Sequence, residues 1–162
     1  MMHKLPRRHL LGLLFAAASI GPFARILPSK AQNLVTFPKS KLTIATAKGA
    51  HKFNIELAVS KKQQAQGLMF RKSLPVDAGM LFDYKRRQRI TMWMKNTFIP
   101  LDMLFIAADG RIVNIYERAI PRSQSTISSK GKVLAVLEIN GGTVSRLGIK
   151  PGDRVSHPIF ER

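Results

Sequence analysis

The stretch MLFIAADGRIVNIYE, Met103 to Glu117, decides the fold. Two runs rich in branched and aromatic residues flank Ala108-Asp109-Gly110, and an Asp-Gly pair between two such runs is the strongest short-range signal for a β-hairpin. The sequence therefore predicts a strand over Met103–Ala107, a tight turn, and a second strand over Arg111–Glu117. This hairpin favours an antiparallel sheet as the frame of the domain.

Upstream of the hairpin, further short segments have the same character. Apolar residues alternate with others along Phe53–Val59, which predicts a half-buried strand. Lys41–Ala47, followed by the Gly49-Ala50 turn, is predicted to be its hairpin partner. Two more strands are predicted over Met80–Tyr84 and Ile90–Met94.

Two short helices complete the pattern. Ser60 and Gln63 match a capping box, and Gly67 fits the C-terminal stop of the helix that they begin. Thr143–Leu147 is predicted as the second helix, closed by Gly148. The other predicted segments are a loop over Pro121–Lys132 and strands over Val133–Ile139 and Arg154–Ser156. Together these elements predict an α+β, β-dominated domain: an antiparallel, strongly curved sheet or partial barrel with two short helices.

The first residues have the features of an export signal. Arg7-Arg8 precedes an apolar run over Leu10–Ala24, and Ser29-Lys30-Ala31 supplies a small-x-small cleavage site. The arginine pair suggests the twin-arginine route, with Sec export and an uncleaved anchor as alternatives. The predicted division is a signal peptide over residues 1–31, a linker over 32–40 and a single domain over 41–162. The expected location is periplasmic or secreted.

Charge and the absence of cysteine narrow the function. The chain has no cysteine, which excludes thiolate catalysis, disulfide exchange and cysteine zinc sites. The formal charge is +18; residues 1–31 hold five cations and no acid, so the mature part carries 18 − 5 = +13. Such a charge attracts polyanions. We expect anionic envelope polymers or lipid head groups as partners, not nucleic acid, and no stable membrane span after signal cleavage.

Several motifs together resemble the domain-of-unknown-function 192 family (DUF192). They are Gly67-Leu68-Met69-Phe70-Arg71, Gly79-Met80-Leu81-Phe82, Trp93-Met94-Lys95-Asn96-Thr97, Pro100-Leu101-Asp102, and Glu138 followed by Gly141. The resemblance runs from about Leu42 to Val155. It implies a small, β-rich, often exported domain and supplies no catalytic residue or cofactor.

Polar residues between two apolar strands form the candidate site. The chain leaves one predicted strand after Met94 and enters the next at Met103. The polar side chains of this connection can converge on a ligand at the rim of the sheet; they are Lys95, Asn96, Thr97 and Asp102. Asp102 is expected to be partly buried and paired with Arg71 or Lys95. The alternative is a structural turn in which Asp102 accepts backbone N–H groups. The candidate ligand-binding residues are Arg71, Trp93, Lys95, Asn96, Thr97, Asp102 and Glu138.

Two alternatives use other chemistry. Asp102 and Glu138 could act as paired carboxylates in a hydrolase of envelope glycans, provided that they share a cleft. Thioethers suit Cu(I), and the five mature methionines could bind copper or simply fill the core; they are Met69, Met80, Met92, Met94 and Met103. No catalytic residue, metal ligand or cofactor is assigned. The leading prediction is an exported binding or accessory module of the cell envelope for an anionic or polar ligand.

Overall fold

A computed structural model describes Met1 and residues 35–161. The chain divides into two units, residues 1–32 and residues 33–162. The predicted signal peptide beyond Met1 and the start of the predicted linker lie outside the described residues. No helix within the described part is long and apolar enough to cross a membrane.

Short strands dominate the second unit. In chain order the elements are β1 (Lys39–Thr46), β2 (Gly49–Ala58), α1 (Lys61–Gln66), β3 (Ala78–Gln88), β4 (Thr91–Met92), β5 (Leu101–Ile106), β6 (Ile112–Ala119), β7 (Ile127–Ser128), β8 (Val133–Asn140), α2 (Thr143–Leu147), β9 (Arg154–Ser156) and a 3₁₀ turn (Pro158–Phe160). Seven strands form one sheet in the order β6-β5-β8-β3-β2-β1-β9, and β4 pairs with β7.

The predicted fold class is confirmed, with one difference in strand direction. The domain is β-dominated, with a curled sheet and two short α-helices. The β1–β2 and β5–β6 hairpins are antiparallel, as predicted. However, β2 and β3 run parallel, because the chain between them crosses over through α1 and does not fold back in a tight turn.

The caps that the sequence predicts are present. The Ser60 Oγ accepts a hydrogen bond from the backbone N–H of Gln63 at 3.2 Å, and the Gln63 Oε1 accepts from the N–H of Ser60 at 2.9 Å. Gly67 ends α1 with a positive φ of 49°, and its N–H donates to the carbonyl of Gln63. The second helix has the predicted bounds and is closed by Gly148 in the left-handed region.

Two boundaries were predicted incorrectly. The strand predicted over Met80–Tyr84 is too short, because β3 runs from Ala78 to Gln88 and includes most of the basic run at residues 85–89. The strand predicted over Ile90–Met94 is reduced to β4, whose partner β7 lies inside the predicted loop Pro121–Lys132. Beyond Met92 the chain leaves the pairing, since the N–H of Met94 donates to the carbonyl of Ser123 in a neighbouring loop.

The seven-stranded sheet buries both faces. In register across β3, β8 and β5, Leu81, Leu137 and Leu104 lie side by side in one core cluster, and we call this side the leucine face. One residue further along β3, Phe82 aligns with Val136 and Phe105 in the second cluster, on what we call the phenylalanine face. Because side chains alternate along a strand, neighbouring residues of β8 point to different faces.

Candidate functional site

Asp102 lies on the leucine face and is fully buried. Its Oδ1 accepts hydrogen bonds from the backbone N–H groups of Arg118 (2.8 Å) and Gly142 (3.0 Å). Its Oδ2 accepts from the N–H of Val144 at 2.8 Å. The expected ion pair with Arg71 or Lys95 is therefore wrong, and the alternative of backbone capping is correct. The carboxylate ties β5 to a β6 bulge and to the start of α2.

Arg71 lies in a different place from the rest of the predicted rim. Its guanidinium forms an ion pair with Glu56 on β2 and lies 5.9 Å from the centre of the Phe37 ring. Together with Lys39 and Asn54 it lines a groove of about 540 Å³. The positive charge of Arg71 is thus balanced locally and does not reach Asp102.

Glu138 occupies the middle of the phenylalanine face. It is 4% exposed, and it aligns with Met80 on β3 and with Met103 on β5. Within residues 35–161, no side chain or backbone group forms a hydrogen bond or an ion pair with its carboxyl group. A buried carboxylate normally has such partners, so this group is exceptional in the domain.

Burial changes the protonation of this acid. Removal from water raises the pKa of Glu138 to about 8. The pKa of the neighbouring Tyr84 is raised to about 12, first by burial and then by the charge of Glu138. The Tyr84 hydroxyl donates a hydrogen bond to the sulfur of Met92 at 3.3 Å. Because this pKa lies above neutrality, Glu138 is mostly protonated at pH 7.

The carboxyl group of Glu138 opens into a small cleft of about 90 Å³, which we call the Glu138 cleft. One wall is the end of α1 and the turn after it, and the other is β4 with the loop that follows. The lining residues are Gln64–Met69, Phe82, Tyr84, Thr91–Trp93, Thr97 and Glu138. The cleft is far smaller than the groove beside Arg71, so it suits a small chemical group.

Gly67 allows the first wall to close on the sheet. A Cβ atom at this position would lie 3.0 Å from the Phe82 ring, and the positive φ also favours glycine. The rim is held by backbone contacts: the N–H of Phe70 donates to the carbonyl of Asn96 at 2.9 Å. This bond joins the segment after Gly67 to the segment after Trp93, which are two of the motifs on which the family resemblance depends.

The predicted site residues separate into three groups. Trp93, Thr97 and Glu138 line the cleft. Lys95 and Asn96 lie at its rim: the Lys95 ammonium is 5.3 Å from the centre of the Trp93 ring, and the Asn96 Nδ2 is 3.9 Å from the sulfur of Met69. Arg71 and Asp102 lie elsewhere, as described above. Sequence reasoning missed Tyr84 as a site residue, although it is the last residue of a predicted apolar strand and carries a polar hydroxyl.

The paired-carboxylate alternative is wrong. Asp102 aligns with Ile139, a leucine-face residue, whereas Glu138 aligns with Met103 on the phenylalanine face. The two carboxyl groups therefore lie on opposite sides of the sheet and share no cleft. A glycosidase that uses two carboxyl groups needs both of them beside the same bond.

The five methionines within residues 35–161 are mostly core residues. Met80, Met92, Met94 and Met103 are buried in the phenylalanine-face cluster, whereas Met69 is half-buried. This fits the common use of methionine to fill irregular gaps in a core. Among the described residues, no three His, Asp or Glu side chains are placed to hold a metal ion together.

The fold and the cleft define a small β-dominated domain in which, within residues 35–161, one buried acid without a hydrogen-bond or ion-pair partner lies at a narrow opening. A comparison with family profiles matches residues 43–157 to DUF192, described as an uncharacterized ACR, and the chain belongs to that family. No curated protein matches the sequence significantly.

Two crystal structures resemble the domain closely. A proposed transcription regulator from Sinorhizobium meliloti 1021 is 48% identical over 78% of this chain and 98% of its own, with a TM-score of 0.75. A protein of unknown function from Novosphingobium aromaticivorans DSM 12444 is 44% identical over 74% of this chain and 85% of its own, with a TM-score of 0.72.

Proposed function

We propose that this protein is an exported binding module of the cell envelope, and that the Glu138 cleft takes an acetamido or similar polar group of an envelope glycan. The observation that carries the proposal is the carboxyl group of Glu138, which is buried, without a partner among the described residues, and open to the cleft. Export is supported by the N-terminal pattern of basic, apolar and small residues.

The chemistry of the neutral carboxyl group suits such a ligand. A protonated carboxyl offers one O–H donor and a carbonyl acceptor, and an acetamido group offers the complementary carbonyl and N–H. Phe82, Tyr84 and Trp93 give the cleft apolar surface for the methyl group. The small volume of the cleft confines binding to such a group and leaves the rest of the glycan outside.

The rim supplies a cation for an anionic ligand. Lys95 is exposed, and its ammonium lies over the Trp93 ring at the mouth of the cleft. Since the mature chain carries a large positive charge, a glycan with carboxylate groups is attracted before it enters. A protonated Glu138 adds no opposing negative charge, whereas an ionised one would repel that ligand.

The test is a calorimetric titration of the purified protein with muramyl dipeptide, which carries both an acetamido group and a carboxylate. The control ligand is the same compound without the N-acetyl group. We expect binding of the acetylated ligand at pH 6 and at least tenfold weaker binding at pH 9, where Glu138 is ionised. Glu138→Gln should bind at both pH values, because its amide offers a donor and an acceptor without charge.

Three results would contradict this function. They are equal affinity for the two ligands, no binding of either at low salt, and loss of binding in Glu138→Gln although the variant is folded. Lys95→Gln serves as a second control, since it removes the rim charge and leaves the cleft intact. It should weaken binding of the anionic ligand at low salt and have less effect at high salt.

A further inference from the structure

Two neighbouring loops present exposed apolar side chains next to cations. The loop over residues 93–98 is joined to the loop over residues 120–123 by two backbone hydrogen bonds. The N–H of Met94 donates to the carbonyl of Ser123, and the N–H of Arg122 donates to the carbonyl of Thr97, both at 3.0 Å. The two loops therefore form one continuous surface.

Three large apolar side chains lie exposed on this surface. Trp93 is 48% exposed, Phe98 is 40% exposed and Ile120 is 69% exposed. The first loop is anchored by side chains that point inward, since Met94, Thr97 and Ile99 are buried. Because the anchors fix its shape, Trp93 and Phe98 remain outward in the folded domain. An apolar surface of this kind often marks a contact with a partner or a membrane.

The cations of this surface are available for a ligand. The Lys95 ammonium lies 5.3 Å from the centre of the Trp93 ring, and the Arg122 guanidinium lies 5.1 Å from the centre of the Phe98 ring. Neither cation belongs to an ion pair among the described residues. We call Trp93, Lys95, Phe98, Ile120 and Arg122 the loop patch.

We propose that the loop patch docks the protein on the surface of a membrane that contains anionic phospholipids. Aromatic side chains favour the level of the lipid head groups, and Ile120 and Phe98 can enter the boundary with the acyl chains. Lys95 and Arg122 would then meet lipid phosphates, to which cations form charge-assisted hydrogen bonds. The charge of the mature chain adds a long-range attraction toward an anionic surface.

A second basic surface shows why the loop patch favours lipid over a soluble polyanion. Arg86 and Arg87 lie near the end of β3, and Arg89 directly follows that strand. Lys130 and Lys132 lie near them, because the N–H of Ser129 donates to the carbonyl of Ile90. None of the large exposed apolar residues of the described part falls within residues 85–90 or 128–132. Cations alone are enough to bind a soluble polyanion. The loop patch also has apolar side chains, and only a partner that is itself partly apolar can bury them.

The test uses the full chain and its own fluorescence. Trp93 is the one tryptophan of the sequence, so its emission reports directly on the loop patch. We expect a blue shift and saturable binding with vesicles of phosphatidylglycerol and phosphatidylcholine, and neither with phosphatidylcholine alone. Ile120→Ser should bind severalfold more weakly with an unchanged unfolding midpoint, because this side chain is 69% exposed. Phe98→Ser should weaken binding further, and it is compared under conditions where it is fully folded because it also loses a ring contact with Phe70.

Two double variants distinguish binding through the loop patch from nonspecific electrostatic attraction. Lys95→Glu/Arg122→Glu and Arg86→Glu/Arg87→Glu change the net charge by the same amount. The first pair should abolish the blue shift, and the second should reduce affinity only modestly. Equal losses in the two pairs would overturn the proposal in favour of nonspecific polyanion binding, and a stronger shift with duplex DNA than with vesicles would do so as well. Binding that persists in every variant would place the contact in the N-terminal segment and would also overturn it.

Discussion

Asp102 and Glu138 are two buried carboxyl groups on paired strands, yet their surroundings are opposite. Each aligns with the other's chain neighbour, Asp102 with Ile139 and Glu138 with Met103. Asp102 accepts three backbone N–H groups on the leucine face. Glu138 has no hydrogen-bond donor among the described residues on the phenylalanine face. Equal burial therefore gives one acid a structural role and leaves the other available for a ligand.

The two acids differ because only Asp102 lies near backbone N–H groups that have no partner within a strand or helix. Asp102 faces the β6 bulge near Arg118 and the start of α2, where the N–H groups of Gly142 and Val144 have no partner in the helix. Glu138 lies mid-sheet between Met80 and Met103, where the strands bond to each other. A carboxylate in the first place completes a hydrogen-bond network, and one in the second place finds no protein donor among the described residues to replace the water that it loses.

The largest effect is expected from Asp102→Ala. Three buried N–H groups would lose a charged acceptor, and we expect the free energy of unfolding to fall by about 4–5 kcal/mol. Urea unfolding at pH 7 measures it. The matched control is Asp109→Ala, since Asp109 is an exposed carboxylate that accepts one backbone N–H, from Arg111. A loss as small as that of the control would show that Asp102 does not hold β5, β6 and α2 together.

The sequence predicted most of the frame because local signals agree with the fold. The Asp-Gly turn at Asp109, the capping box at Ser60 and the glycines that end both helices act within a few residues. The parallel pairing of β2 with β3 was missed, because it depends on a crossover whose direction has no local signature. The short pairing of β4 with β7 was missed for the same reason.

The site was only partly predictable, because the side of the sheet on which a side chain lies depends on how the strands align with one another. The predicted strands place Asp102 just before one apolar strand and Glu138 within another, but they do not show which strands are neighbours or how they align. The one-residue offset between Asp102 and Met103 decides that the two acids lie on opposite faces. Trp93, Thr97 and Glu138 could be named because they are polar or aromatic residues within unusual motifs. Arg71 was misplaced because its partner, Glu56, lies on a strand fifteen residues earlier in the chain.

The second effect concerns how the stability of the protein depends on pH. Replacing Asp102 should lower the free energy of unfolding, whereas replacing Glu138 should raise it. The pKa of Glu138 is raised from 4.5 to about 8 in the folded protein. Below pH 4.5 the carboxyl is protonated in both states, and its contribution to stability is fully present. Between pH 4.5 and 8 only the unfolded chain loses the proton, so stability falls until the folded pKa is passed. Glu138→Gln removes this penalty and should be more stable than the natural protein by about 3–5 kcal/mol at pH 9.

The measurement is a series of urea unfolding curves from pH 4 to pH 9 for both proteins. The difference between them should be near its minimum at pH 4, grow with pH and level off above pH 8. All other titrating groups are shared, so their contributions cancel in the difference. A constant difference across the series would mean that folding does not raise the pKa of Glu138. Asp102→Asn, tested in parallel, should lower stability at pH 7, which keeps the contrast between the two acids measurable.

The smallest effect concerns Tyr84, and it reports whether the charge of Glu138 faces the cleft. The pKa of Tyr84 is raised from 10 to about 12, with burial as the larger cause and Glu138 as the smaller one. In Glu138→Gln the pKa should therefore fall only part of the way toward 10. Ultraviolet titration of the phenolate in a Tyr116→Phe background isolates Tyr84, since the chain has two tyrosines. An unchanged pKa in a variant that circular dichroism shows to be folded would mean that the Glu138 carboxylate does not face Tyr84. Asp102→Asn is the control, and it should leave the pKa of Tyr84 unaffected because Asp102 lies on the leucine face, on the opposite side of the sheet.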